Sequence, residues 1–268
     1  MSTEPTAALE EAWSTGSYVE LARNYRSMAA QLVERTAVDS SDEVLDVGCG
    51  TGNVAITAAR RGARVSGLDV APVMLERARE NAEIAGVDDV EWHEGDATDL
   101  PFEENAVDVT LSSLGHMYGD PPDAAARELL RVTRPGGRIG FTAWTPTGLF
   151  PKMAGLVAAR LSPDDRPEFS EPPFAWGDPD VVTQRLGATV DELTFRAETV
   201  LYPALSPAHF WRELVAHSGL FITYIERVDD RPELREAVLE TIESHFDDGE
   251  NAVELEYRST TATVPESN

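Results

Sequence analysis

From Val44 onward, short apolar runs alternate with segments whose apolar residues recur at helical spacing. The runs predict strands near 43–48, 64–69, 89–93, 107–112 and 137–143, and the spacing predicts helices near 52–61, 72–85 and 121–134. That alternation predicts an α/β fold, a mostly parallel sheet with helices on both faces. Pro72 and the run Asp120-Pro121-Pro122 suit helix starts, and Arg134-Pro135-Gly136-Gly137 stops a helix and turns into a strand. Before the first strand, residues 7–36 place Leu9 and Trp13, then Leu21, Tyr25, Met28 and Leu32, at helical spacing. One or two helices there make residues 1–40 an amino-terminal cover, followed by a core over 41–145.

After Trp144 the pattern changes to a proline-rich stretch, Pro146 to Pro179, with one helical segment near 150–161 and the patch Phe174-Ala175-Trp176. Residues 146–189 therefore read as an inserted lid. Residues 190–201 alternate, with Leu193, Phe195 and Ala197 on one face. Helical patterns follow near 206–218 and 232–246, and 252–261 alternates again through Val253, Leu255 and Tyr257. Two antiparallel strands within 190–268 complete the sheet, and only the last few residues read as disordered.

The chemistry concentrates at the first strand. Val44-Leu45-Asp46-Val47-Gly48-Cys49-Gly50-Thr51-Gly52-Asn53 is a buried strand running into a glycine turn and a helix. Glycines at 48, 50 and 52 permit positive φ and let a ligand approach the main chain where any Cβ would clash. A dinucleotide site normally shows G-x-G-x-x-G, with pyrophosphate on the helix amino terminus. Here the spacing is G-x-G-x-G, and Asp46 before it would repel pyrophosphate but pair with an ammonium. The second strand ends Gly67-Leu68-Asp69, putting a carboxylate where a ribose diol can be gripped by two hydrogen bonds. After the third strand, Asp96 can accept from an exocyclic adenine amine and Ala97 leaves room for a flat ring. Together the three carboxylates fit an adenosine carrying an amino-acid end.

Composition narrows the partners. Acidic residues outnumber basic ones 48 to 22, for a net charge of -26, so phosphate backbones and anionic lipid are disfavoured. Lys152 is the single lysine, and this arginine-for-lysine, carboxylate-rich balance suits a protein kept soluble in concentrated salt, the alternative being an ordinary acidic cytosolic enzyme. No run approaches a membrane span, and the amino terminus, with Glu4, Glu10 and Glu11, lacks the pattern of a signal peptide, so a cytoplasmic location is expected. A single cysteine and five histidines without ligand spacing argue against a structural metal.

The segments VLDVGCGTGN, GLDVAP, EGDATDLPF and RVTRPGGRIGFTAW resemble the successive motifs of class I S-adenosylmethionine-dependent methyltransferases over about residues 40 to 145. Within them the chain is most similar to the small-molecule branch that includes ubiquinone and menaquinone biosynthesis methyltransferases. The resemblance implies a Rossmann-like seven-stranded sheet of order 3-2-1-4-5-7-6 with the last strand antiparallel, and S-adenosylmethionine as cofactor. It assigns Gly48, Gly50 and Gly52 to the methionine and ribose side, Asp69 to the ribose hydroxyls, and Asp96 with Ala97 to the adenine. Asp46, Cys49, Asn53, Val70, Met74 and Tyr18 complete the cofactor set it implies. Ser112, Ser113 and His116, just past the fourth strand, would face the methyl donor and substrate.

Cys49 reads as a small packed residue of the turn rather than a nucleophile, because nothing identifies a paired base. His116 sits where a general base could reach a substrate, and equally where a histidine caps a loop or lines the pocket. Tyr18, Tyr25 and Tyr118 are reserves for closing the site or moving a proton. Trp144, Phe150, Phe174 and Trp176 could line an apolar substrate pocket or form the lid's own core. The expected activity is methyl transfer by in-line displacement to a small, partly apolar metabolite, with a cofactor-binding protein without transfer activity as the alternative. An NAD-dependent oxidoreductase is disfavoured by the glycine spacing. The acceptor and the oligomeric state are not legible in the sequence.

Overall fold

The computed structural model describes residues 11–266, so Leu9 of the expected amino-terminal helix lies outside the described residues. Residues 11–14 are helical, and α1 (Tyr18–Ala22), a 3-10 turn (Arg23–Tyr25) and α2 (Arg26–Arg35) lead to β1 (Glu43–Val47). The core continues through α3 (Asn53–Ala59), β2 (Arg64–Asp69), α4 (Pro72–Ala85), β3 (Val90–Glu94), β4 (Val107–Ser113), α5 (Pro122–Val132) and β5 (Thr133–Trp144). Then come α6 (Leu149–Ala158), α7 (Pro179–Leu186), β6 (Asp191–Pro203), α8 (Pro207–His217), α9 (Gly219–Ile225), α10 (Arg231–Glu243), β7 (Phe246–Asp247) and β8 (Ala252–Thr263).

The sheet runs β3-β2-β1-β4-β5-β8-β6, with the two-residue β7 added beside β8. β1 to β5 are mutually parallel, and β8 is antiparallel to both β5 and β6. Apart from β7, this is the expected order. The parallel centre is covered on both sides, so β1 and β4 are buried along almost their whole length. Alternate residues of β1 divide between two cores: Val44 joins Leu32, Val33 and Val54 in one, and Leu45 and Val47 join Leu68, Leu129 and Phe141 in the other.

Local chemistry sets the boundaries. Pro72 opens α4 and Gly86 closes it in the left-handed conformation, with φ 65°. Asp178, Ser206 and Asp230 cap α7, α8 and α10, each accepting from a main-chain N–H of the first turn. The stop expected at Arg134 comes earlier. α5 ends at Val132 and Thr133 already pairs with Val107. The next registered pair is Val109 with Arg138, so the Pro-Gly-Gly residues form a bulge within β5 rather than a turn before it, with Gly136 at φ 75°. Alternation in β6 also departs from expectation. Leu193 and Phe195 are half-buried and Ala197 is exposed, while farther along Val200 and Tyr202 are the buried positions. Tyr25 and Phe210 pack over that second half, with ring centroids 6.3 Å and 4.9 Å from Tyr202.

The expected amino-terminal cover divides. α2 buries Met28, Ala29, Leu32 and Val33 among the core helices, whereas residues 11–25 lie over the cavity described below. No helix among the described residues is long and apolar enough to cross a membrane.

Candidate functional site

The carboxyl ends of β1, β2 and β4 open into a cavity of about 930 Å³, at the upper end of the range for small-molecule sites. Its floor is the glycine turn. Gly48, Gly50 and Gly52 have φ of 65°, 52° and 84°, in the left-handed region that side chains resist. Two of them have different jobs. A Cβ at Gly50 would meet nothing within 4 Å, leaving its main chain open to a ligand, whereas a Cβ at Gly48 would lie 2.7 Å from Cα of Gly115. The β1 and β4 loops thus pack main chain against main chain. Gly52 starts α3 rather than lining the cavity, with Trp92 and Ile56 beneath it.

Two carboxylates shape this floor. Asp69, at the tip of β2, accepts from Gly50 N–H through Oδ2 at 2.7 Å and from Ala71 N–H through Oδ1 at 3.0 Å, bracing the turn. Asp46 is 1% exposed. Its Oδ2 accepts from Ala55 N–H at 3.0 Å and its buried Oδ1 has no partner among the described residues. Burial, with the Asp69 charge added, pushes the Asp46 carboxyl up to about 7. A buried acceptor left unmet beside an open main chain fits a ligand that brings a donor. At the tip of β3, Asp96 Oδ1 accepts from both N–H and Oγ1 of Thr98 at 2.8 Å, closing the loop that carries Ala97. Asn53 Nδ2 donates to Ala22 O at 2.9 Å, tying the glycine turn to the cover.

Twelve of the fifteen residues expected at the site line this cavity: Tyr18, Asp46, Gly48, Cys49, Gly50, Asn53, Asp69, Val70, Met74, Asp96, Ala97 and Ser113. Gly52, Ser112 and His116 do not. Cys49 is buried, and burial followed by the Asp69 and Asp46 charges pushes its thiol up, consistent with a packed residue. Ser112 is fully buried, donating to Val47 O at 2.6 Å and accepting from His116 N–H at 2.9 Å.

The expected base, His116, is displaced from the cavity. Its ring lies between Phe141 and Trp176, centroids 4.5 Å and 4.6 Å away, with Nδ1 3.2 Å from Ser112 Oγ. Arg185 stacks on the other member of this cluster, 4.6 Å from the Trp176 ring. Burial and the Arg185 charge push His116 down to about 3, so it stays neutral. A histidine walled in by two aromatic rings cannot meet a substrate. Trp176 likewise belongs to this core, while Trp144, Phe150 and Phe174 reach the cavity.

Several lining residues were not singled out from the sequence. Trp13 packs edge-on against Tyr18 and Tyr118, both at 5.1 Å, and closes the cover. Phe221 and Tyr224 of α9 form part of the roof. Their trace in the sequence is an aromatic pair at i, i+3 after Ser218-Gly219, where Ser218 makes no side-chain cap. The cover meets this roof closely: a Cβ on Gly219 would fall 1.7 Å from Ala12 O.

Comparison with known proteins fits this geometry. Residues 44–137 match the family described as a methyltransferase domain. An uncharacterised protein of Mycobacterium tuberculosis is 36% identical over 154 residues, 57% of this chain and 56% of the relative, so the chain spans little more than half of that relative's length. The methyltransferase GfsG of Streptomyces halstedii is 36% identical over 148 residues, 54% of this chain and 53% of the relative. Among solved structures, the [4+2]-cyclase SpnF superposes with a TM-score of 0.59 at 25% identity, covering 90% of this chain and 82% of that one. Residues 44–137 thus match a methyltransferase domain, and the sheet order around that match is Rossmann-like.

Proposed function

We propose that the chain is an S-adenosylmethionine-dependent methyltransferase acting on a small, partly apolar metabolite. The observation that carries this reading is the floor of the cavity: an unpaired, buried Asp46 oxygen, an open Gly50 main chain and the tips of β2 and β3 in one crevice. Asp46 would hold the ammonium of the methionine end, Asp69 the ribose hydroxyls, and Asp96 with Ala97 the adenine. When bound, S-adenosylmethionine supplies an already activated methyl group on a positively charged sulfur.

What remains for the protein is alignment and exclusion of water. Residues 11–25 with Trp13, Tyr18 and Tyr25 close one side of the cavity, and α6 with Phe150 and Val157, followed by Leu161, closes another. The acceptor's apolar body would lie under α6 and α9, with its reacting atom at the β4 tip near Ser113. A fully buried apolar side chain of such a body contributes about 1.5–3 kcal/mol, enough to orient the acceptor without a charged anchor.

A second reading, a cofactor-binding protein without methyl transfer, draws support from the likeness to a protein whose named reaction is a cyclisation. Incubation with methyl-labelled S-adenosylmethionine and cell extract in high salt separates the two. A labelled small product supports transfer, and cofactor binding with no labelled product supports the second reading.

A further inference from the structure

The cavity holds neither histidine nor lysine among its lining residues. With His116 behind the Phe141–Trp176 wall, three phenols line the space, Tyr18, Tyr25 and Tyr118, and none of their hydroxyls has a hydrogen-bond partner among the described residues. Burial pushes all three phenols up; Asp69 adds to this at Tyr18, and neighbouring tyrosines add to it at Tyr25 and Tyr118. They therefore stay protonated and act as donors. On the floor, Asp69 accepts from Gly50 and Ala71 N–H, and Asp46 accepts from Ala55 N–H and keeps its remaining oxygen for the cofactor's ammonium. Asp120 accepts from Ser170 at the lid. The other acidic groups of the lining, Glu11, Asp96, Asp164 and Glu168, are carboxylates too, and a carboxylate with an ordinary pKa of about 4 is a poor base for an alcohol, a phenol or an ammonium, whose pKa values are about 10 or higher.

We infer that the acceptor brings its reacting atom already ionised, as the carboxylate of an apolar acid, and that Tyr25 and Tyr118 donate to it. This rests on the methyltransferase reading above. A carboxyl group, with a pKa near 4, is fully ionised at neutral pH without help, and phenol donors favour the anion over an ammonium in the same place. Each such donor to a charged oxygen contributes roughly tenfold or more in affinity. In the transfer the carboxylate oxygen forms the new O–CH₃ bond as the S–CH₃ bond breaks. Sulfur keeps the bonding pair and loses its positive charge, the oxygen loses its negative charge, and the product is a methyl ester. No proton is released, whereas an alcohol or ammonium acceptor releases one per turnover.

The test uses three probes that share one apolar body: decanoate, decanol and decylamine. Their binding to protein saturated with S-adenosylhomocysteine is measured by calorimetry. Turnover with S-adenosylmethionine is followed by S-adenosylhomocysteine formation and by proton release in weak buffer. Decanoate is expected to bind and turn over at least about tenfold better than the other two, with no proton released, and Tyr118→Phe and Tyr25→Phe each raise its KM about tenfold while leaving cofactor affinity unchanged. Preference for decanol or decylamine, no turnover of decanoate by protein that binds S-adenosylmethionine, or Tyr→Phe variants that bind decanoate as tightly as the parent would overturn the inference. Failure to bind S-adenosylmethionine at all would instead remove the methyltransferase reading itself.

Discussion

The proposed pairing of Asp46 with the cofactor's ammonium would make binding a proton-linked event. In the free protein its carboxyl is pushed up to about 7 by burial and by the neighbouring Asp69, and its Oδ1 has no partner among the described residues. An α-amino group has a pKa of about 7.7–8, so below about pH 7 the ligand arrives as an ammonium and the carboxyl holds a proton. Pairing the two requires the carboxylate, and binding therefore expels the proton. Linkage then makes the dissociation constant fall about tenfold for each pH unit from about 5 to 7 and rise again above about 8, where the ligand's amine loses its proton. Calorimetry at a series of pH values, in two buffers of different ionisation heat, reads both quantities. About one proton per site should be released near pH 5.5, declining to none near pH 7.5 and turning to uptake above about pH 8. Asp46→Asn keeps an acceptor for Ala55 N–H but removes the slope and weakens binding on the alkaline side. A pH-independent affinity with no proton release would show that Asp46 does not meet the ammonium.

Asp69→Ala should weaken S-adenosylmethionine binding by at least about a hundredfold in calorimetry, since it removes two ribose contacts of about 1.5–3 kcal/mol each and the brace on Gly50; unchanged affinity in a folded variant would refute the role. Gly115→Ala puts a Cβ 2.5 Å from Gly48 O and should lower stability by about 1–3 kcal/mol in thermal melts while loosening the cofactor, because the neighbour is main chain. His116, held down at about 3 against an ordinary 6.5, gains a proton on unfolding between those values, so it costs stability as pH falls through that window. A His116→Leu variant should therefore lose about 2 kcal/mol less than the parent between pH 7 and pH 5. With a net charge of -26, the melting temperature should rise steeply as potassium chloride is added to molar levels, and a flat response would remove the salt-adapted reading.

The sheet and the floor of the site were legible because both are written locally. Strand β2 and helix α4 fall where the apolar run and Pro72 put them, and Asp46, Asp69 and Asp96 stand at strand ends fixed by the same runs. The rest depends on contacts distant in sequence. His116 lies three residues beyond β4, but whether it faces the cavity is decided by Trp176, sixty residues on, which packs against it and Phe141. The roof is a similar case. Helix α9 has no side-chain cap, and only its packing against the cover through Gly219 and Ala12 places Phe221 and Tyr224 over the cavity. The bulge in β5 was hidden for a different reason, because Pro-Gly-Gly reads as a turn unless the neighbouring strand supplies the pairing.

The most direct measurement is a parallel titration of the protein with S-adenosylmethionine and with NAD in high salt. One site is expected to bind S-adenosylmethionine with heat and stabilise the fold, with NAD binding at least about a hundredfold weaker, since the Asp46 carboxylate repels pyrophosphate. Binding of NAD without S-adenosylmethionine would contradict this expectation.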